Sequence, residues 1–250
     1  MADILGIIPA RYASTRFPGK PLARLMDKPM IQWVYERSSA VFEHLLVATD
    51  DQRIFNAVMD FGGKVQMTAE GHNSGTERCA EAARLYEQKT GMQFDFIVNI
   101  QGDEPLIHAE QLQSLLGCIQ SPGTRIATLI RPLKTRQELE NPNVVKVVVD
   151  HAGRALYFSR APIPYVRNAK TTEGLPEVTF YTHIGLYAFQ RETLEKVIEF
   201  PATALEKAES LEQLRWMENG IEIRTAVTHL PSQGVDTPED LEALSQKGSF

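Results

Sequence analysis

The chain has 250 residues, 43% of them hydrophobic and 23% charged, with 26 Lys and Arg against 32 Asp and Glu for a formal net charge of −6. That is globular composition with ample apolar surface for a core, and it excludes a disordered chain, a collagen or a disulfide scaffold. The acidic balance argues against a protein that grips nucleic acid through net positive charge and leaves room for a local basic patch that takes small phosphorylated ligands.

Short β-branched runs alternate with helical patterns. Leu5, Gly6, Ile7 and Ile8 read as a buried strand, and residues 29–41 follow with Ile31, Val34, Tyr35 and Ser38 at helical spacing. Leu45 to Ala48 is the next strand. Residues 51–61 place Ile54, Phe55, Val58 and Phe61 on one helical face, and Gly62-Gly63 supplies the stop. After a strand at 64–68, Ser74-Gly75-Thr76-Glu77 fits a capping box that opens a helix reaching Gly91. Residues 96–100 form the fourth strand. A helix near 109–120 is followed by strands near 125–131, 144–150, 155–159 and 182–189. Helices near 192–199 and 210–219 precede a last strand at 221–229 and a last helix at 238–246.

Strands separated by helices of about ten residues imply right-handed crossovers and a mostly parallel sheet covered on both faces, a doubly wound α/β architecture. Residues 160–179 are rich in Pro and polar side chains and read as a long loop, a lid or a dimer arm. With no internal repeat and no break in composition, 1–250 is expected to be a single domain. Cys79 and Cys118 show no zinc-site spacing and read as reduced, buried thiols. No basic leader and no run of about 20 apolar residues is present, so a soluble, cytoplasmic chain without membrane insertion is expected.

The most informative stretch runs from Pro9 to Pro21, directly after the first strand, where ligands of open α/β sheets bind. Arg11, Arg16 and Lys20 place three cations within ten residues, and Gly19 lets the backbone approach a phosphate. A solvated basic loop is the alternative. Neither GxxxxGK[ST] nor GxGxxG occurs, which removes the simplest ATPase and dinucleotide-dehydrogenase readings. At the end of the fourth strand, in Asn99-Ile100-Gln101-Gly102-Asp103-Glu104-Pro105, Asp103 is positioned to hold Mg²⁺, which prefers one or two carboxylates plus phosphate oxygens and waters. Ordinary turn residues are the alternative. Asp236 lies just before Thr237, which caps a helix begun by Pro238, and could meet Asp103 across the sheet; taken alone it reads as a helix-start residue. In residues 210–219, Glu212, Gln213 and Trp216, together with Glu209, share one face, and Leu211, Leu214 and Met217 another. The polar face suits sugar hydroxyls or plain solvent equally. His183 precedes an apolar strand and reads first as a satisfied core histidine, and His72 as an exposed loop residue.

Together these stretches resemble the sugar cytidylyltransferase family, and within it the branch that activates 3-deoxy-manno-octulosonate (Kdo). The matching blocks are IIPARYASTRFPGKPL at 7–22, VATDD at 47–51, SGTER at 74–78, VNIQGDEPLI at 98–107, NPNVVKVV at 141–148, ALYFSRAPIP at 155–164, HIGLYAF at 183–189, LEQLR at 211–215 and GVDTPEDLE at 234–242. The resemblance spans nearly the whole chain in order. It implies a Rossmann-like nucleotide-diphospho-sugar transferase fold and a homodimer with its interface about residues 180–200. The implied reaction is CTP + Kdo → CMP-Kdo + pyrophosphate, by in-line attack of the anomeric C2 hydroxyl on the α-phosphorus, for lipopolysaccharide assembly. Mg²⁺ is the implied cofactor, on Asp103 and Asp236, with a second ion on the triphosphate. Arg11, Lys20, Asp103 and Asp236 take the catalytic positions. Pro9, Ala10, Arg11, Ser14, Arg16, Lys20, Ser74, Arg78, Gln101 and Asp103 match the nucleotide site. Arg78, Gln101, Arg160, His183, Tyr187, Glu212 and Gln213 match the sugar site. Residues 167–179 and the Tyr181-Thr182 pair before His183 depart from the pattern, towards a modified acceptor such as 8-amino-Kdo. An enzyme that makes CMP-sialic acid is the nearest rival, and a catalytically silent scaffold the reading from another class.

Overall fold

The apolar run after the N-terminus forms β1 (Ile4–Ala10) in the computed structural model, which describes residues 2–14, 16–167 and 178–246. The chain divides into two units, Met1–Gln113 with Pro231–Phe250, and Ser114–Leu230. In the first, β1 is followed by a short hairpin of β2 (Arg24–Leu25) and β3 (Lys28–Pro29), then α1 (Met30–Ser39), β4 (His44–Thr49), α2 (Gln52–Asp60), β5 (Val65–Met67), α3 (Gly75–Thr90) and β6 (Phe96–Asn99). The helix α4 (Ala109–Ile119) carries the chain into the second unit.

The first unit's strands lie in the order β6-β1-β4-β5, and all are parallel; Ile7 sits between Leu46 and Asn99. Leu5, Ile7 and Ile8 are all fully buried, so both faces of β1 are covered, as a parallel strand requires. Parallel strands end on one edge, and Ala10, Thr49 and Asn99 therefore deliver the loops that follow them to the same side. Local chemistry sets the helix ends. Asp51 caps α2 by accepting from the Arg53 N–H at 2.9 Å, and Gly62, with φ 80°, turns the chain just past its end. Ser74 caps α3 as expected, but the box is offset: Glu77 reaches back to the N–H of Asn73 at 2.8 Å rather than to that of Ser74.

In the second unit, β7 (Ile126–Pro132) is followed by α5 (Arg136–Glu140), β8 (Lys146–Val149), β9 (Ala155–Ser159), β10 (Tyr181–Gln190), α6 (Arg191–Ile198), α7 (Ala204–Glu209), α8 (Glu212–Glu218) and β11 (Ile223–Val227). β7 pairs in parallel with β11 and antiparallel with β10, while β8 is antiparallel to both β10 and β9. The α/β class with a mostly parallel sheet holds, and the antiparallel ladders have a simple cause. The segment between β8 and β9 is too short for a crossover helix, and it reverses at Gly153 (φ 74°) with the Asp150 N–H on the Arg154 carbonyl at 2.9 Å. The expected helix over 210–219 is also corrected: Ser210, at φ 52°, is left-handed and separates α7 from α8, so Glu209 ends a different helix from Gln213.

The last helix, α9 (Pro238–Gln246), belongs to the first unit, where Leu25, Met30, Val235 and Leu244 form a buried cluster joined by Phe17, Trp33, Leu106 and Leu241. Thr237 caps it as expected, and Asp240 answers by accepting from the N–H groups of Asp236 and Thr237 at 3.0 and 2.9 Å. Among the described residues no helix is long and apolar enough to cross a membrane. Half of the loop expected as a lid or dimer arm, residues 168–177, lies outside the described residues.

Candidate active site

At the carboxyl edge of the first unit's sheet, the loop after β1 folds onto one carbonyl. Ser14 and Gly19 both donate their N–H to Tyr12 O at 2.9 Å. Gly19 is left-handed (φ 73°), and a Cβ there would lie 2.9 Å from the Tyr12 ring, so only glycine passes the turn without strain. The outer face of that ring is covered by the Arg53 guanidinium, 3.3 Å from the ring centroid, which Asp51 holds at 2.6 to 3.0 Å. The turn delivers Lys20 to the start of a single 3₁₀ turn, Lys20–Leu22.

The Lys20 ammonium donates to Asp103 Oδ2 at 2.6 Å and lies 3.5 Å from Asp236 Oδ1, to which Arg16 also donates at 3.0 Å. Asp103 and Asp236, 133 residues apart, thus meet as the sequence suggested, but around the Lys20 ammonium, a pairing the sequence did not suggest. What holds them together was not foreseen. Val235 N–H donates to Asp103 O at 2.9 Å, Ser232 Oγ to Glu104 Oε2 at 2.8 Å, and the Gln111 amide to Pro231 O at 3.4 Å. The segment before α9 is therefore stitched to the segment after β6. Burial, opposed by the Ser232 hydroxyl and reinforced by the charge of Asp103, pushes the Glu104 carboxyl up to about 7.

Lys20, Arg16 and the two aspartates line an open cavity of about 290 Å³. Pro9, Ala10, Arg11, Ser14, Arg16, Lys20, Ser74, Arg78, Gln101, Asp103 and Asp236 all contribute to its wall, so the structure brings together every residue placed by resemblance in the nucleotide and metal sets. Their electrostatic states differ. Arg78 is buried on α3 and spends its charge on Asp50 at 2.6 Å, with a second bond to Thr68 Oγ1 at 2.6 Å. The wall also contains His72, which is not the exposed loop residue expected: its Nε2 meets Glu81 Oε2 at 2.5 Å, and the ring is mostly covered. The only sequence signal for this was the four-residue spacing of Glu77 and Glu81, which puts both carboxylates on the face of α3 nearest His72.

The donor set fits a hard divalent cation. Two carboxylate oxygens point at one cationic centre, and among the described residues no group of three or more His, Cys, Asp or Glu forms an all-protein cage. One or two carboxylates completed by phosphate and water oxygens is the arrangement Mg²⁺ favours.

The other residues expected at the sugar belong to the second unit. The His183 ring lies 5.2 Å from both Phe158 and Tyr187, and its Nε2 is 3.0 Å from Thr128 Oγ1. Burial pushes its pKa down to about 3, so the ring is neutral. With its Nε2 on Thr128 and its ring packed into an aromatic cluster, in which Tyr187 meets the edge of Trp216 at 5.1 Å, it is the satisfied core histidine that the residues alone first suggested. Burial and the charge of Glu212 raise the Tyr187 phenol well above its usual value. On α8, Gln213 and Trp216 are buried, and their Nε2 and Nε1 atoms have no hydrogen-bond partner. A plainly solvated face is thereby excluded for these two. Arg160 stands apart from this cluster, held by the carbonyls of Glu209, Pro142 and Ser210 at 2.7 to 3.4 Å, while burial and the neighbouring Arg160 charge lower the pKa of Lys146.

A 3-deoxy-manno-octulosonate cytidylyltransferase of Parabacteroides distasonis is 54% identical over 246 residues, covering 97% of this chain and 96% of that one. One of the same name from Bacteroides thetaiotaomicron is 51% identical, covering 95% of each chain. Among solved structures, CMP:2-keto-3-deoxy-manno-octonic acid synthetase complexed with CTP superposes with a TM-score of 0.89 at 42% identity, covering 98% of both chains. The cytidylyltransferase family profile matches residues 5–223, and the chain belongs to that family.

Proposed function

We propose that this chain transfers CMP from CTP to the anomeric C2 hydroxyl of Kdo and releases pyrophosphate, with Mg²⁺ as cofactor. The observation that carries the reading is the convergence of Asp103 and Asp236 on the Lys20 ammonium, with Arg11 and Arg16 in the same cavity at the carboxyl edge of a parallel sheet. The choice of Kdo draws on the relatives named for that reaction over nearly the full chain.

In this reading Arg11, Arg16 and Lys20 take up the triphosphate and offset the charge that builds on the leaving pyrophosphate. Arg78, already compensated by Asp50, shapes the wall instead of supplying free charge. Asp103 and Asp236 would hold Mg²⁺, which when bound supplies Lewis-acid charge beside the α-phosphate and acidifies the attacking hydroxyl. Attack is in line, with no covalent enzyme intermediate. For the acceptor, the neutral His183 ring serves as a hydrogen-bonding partner instead of a charge, with Arg160, Tyr187, Glu212 and Gln213 as the other recognising groups. The buried, unpartnered Nε2 of Gln213 supports this, because a buried donor gains most from a polar ligand that satisfies it. The reading extends, on family resemblance, to one catalytic domain over 1–250, a homodimer with its interface about 180–200, and a cytoplasmic role supplying lipopolysaccharide assembly.

The test is Mg²⁺-dependent pyrophosphate release from each of the four ribonucleoside triphosphates, with Kdo, 8-amino-Kdo and N-acetylneuraminic acid as separate acceptors. Release with CTP and Kdo is the expected result. Preference for the amino sugar or for sialic acid replaces the acceptor, and no release with any pair overturns the reading.

A further inference from the structure

The cations that cover the two carboxylates are the same ones assigned to the triphosphate. Lys20 makes a short charge-assisted bond to Asp103 and touches Asp236 as well, and its side chain is only 13% exposed. Arg16 holds Asp236 from the solvent side, with its side chain 64% exposed. The oxygens that face each other across the Lys20 ammonium are those through which the pair can ligate a metal together. Lys20 also suits an exchange of partners. Its backbone is fixed by the left-handed Gly19 and the 3₁₀ turn, while its flexible four-carbon stem lets the ammonium swing over several ångströms. The Arg16 bond, being exposed, adds little and breaks readily.

We propose that Lys20, assisted by Arg16, is a cation lock: it keeps divalent metal off Asp103 and Asp236 until a triphosphate draws both side chains to its own oxygens. Nucleotide binding then precedes and enables metal binding at the carboxylate pair, and by linkage the metal tightens the nucleotide in return. The inference rests on the reading of Asp103 and Asp236 as metal ligands. Its charge logic is that two side-chain cations already compensate two carboxylates, so a divalent ion added to the same place meets repulsion that only an incoming polyanion relieves.

The experiment titrates Mn²⁺, read as loss of the free-ion EPR signal, into the full chain without nucleotide. Wild type is expected to retain Mn²⁺ weakly. Lys20→Met uncovers the pair and tightens Mn²⁺ at least about tenfold, or about 1.4 kcal/mol. Adding Asp103→Asn to Lys20→Met removes the gain and ties it to this pair. Lys20→Gln with Arg16→Gln, checked by melting temperature, repeats the test should Lys20→Met fold poorly. A wild type that already binds Mn²⁺ through Asp103 as tightly as Lys20→Met overturns the lock while leaving the metal ligands standing. Failure of the underlying reading looks different, because Asp103→Asn then keeps full Mg²⁺-dependent turnover.

Discussion

His183 gives a quantitative test of the second unit's chemistry. The ring sits among Phe158, Tyr187 and Thr128, and burial brings its pKa from 6.5 to about 3. Between those values the unfolded chain binds a proton that the folded one refuses. Stability must therefore fall as pH drops below 6.5, by at most about 1.4 kcal/mol per pH unit, and level off below the folded value. Above pH 6.5 the group contributes no slope. Because His183 as a residue is only part-buried, an effect of about 1–2 kcal/mol between neutral pH and about pH 4.5 is expected, below the ceiling of about 2.7 kcal/mol set by two pH units. Urea unfolding of wild type and His183→Asn across this range isolates the effect. The variant starts less stable at neutral pH, having lost its ring contacts, and the gap narrows on acidification. Parallel curves for the two proteins would falsify the assignment of a neutral, desolvated imidazole. The same state predicts that an acid limb near pH 6.5 in kcat/KM for the acceptor, should one occur, persists in His183→Asn.

Other substitutions probe the first unit. Gly19→Ala places a side chain at φ 73° and against the Tyr12 ring, so it should cost about 1–2 kcal/mol, lower the melting temperature by several degrees and raise KM for CTP; an unchanged KM would show that the turn does not shape the cavity. Ser232→Ala removes the donor to Glu104 and loosens the segment carrying Asp236, which the Val235 to Asp103 bond still restrains. About 1–2 kcal/mol of local stability is at stake, and kcat should drop several-fold with KM for CTP nearly constant, whereas a rise in KM alone would argue against a stitch that serves the carboxylates. Asp103→Asn and Asp236→Asn should each lower turnover by orders of magnitude with folding intact, as circular dichroism and initial rates will establish; a fully active Asp103→Asn enzyme removes the metal reading.

Local patterns in the sequence reach far into this fold. The apolar runs at β1, β4 and β6 predict strands buried on both faces, and Thr237-Pro238 marks the start of α9 to the residue. The antiparallel ladders of the second unit were less legible, because β-branched runs read the same in either direction and only the short β8 to β9 connection reveals the reversal. Ser210 carries no propensity signal for the left-handed turn that splits α7 from α8. The short α5 has a complete Thr135–Glu138 capping box, but its five residues hold too little periodicity to stand out.

The site shows the same division between what is local and what is paired. Arg16, Lys20 and Arg78 all count as cations in the sequence, yet their settings follow from partners far along the chain. Arg78 is compensated by Asp50, 28 residues away, and is fixed in the wall. Lys20 is shared by two carboxylates, one of them beyond the second unit in sequence, and so is poised to change partners. The Glu104–Ser232 contact spans 128 residues and leaves no periodic trace, although it helps fix the separation of Asp103 and Asp236. Residue identity thus sets which charges are available near the cavity, and long-range pairing decides which of them remain mobile. In this chain that places the exchangeable charge on Lys20 and Arg16, and the loop proposed to take up phosphates is also the cover of the two carboxylates.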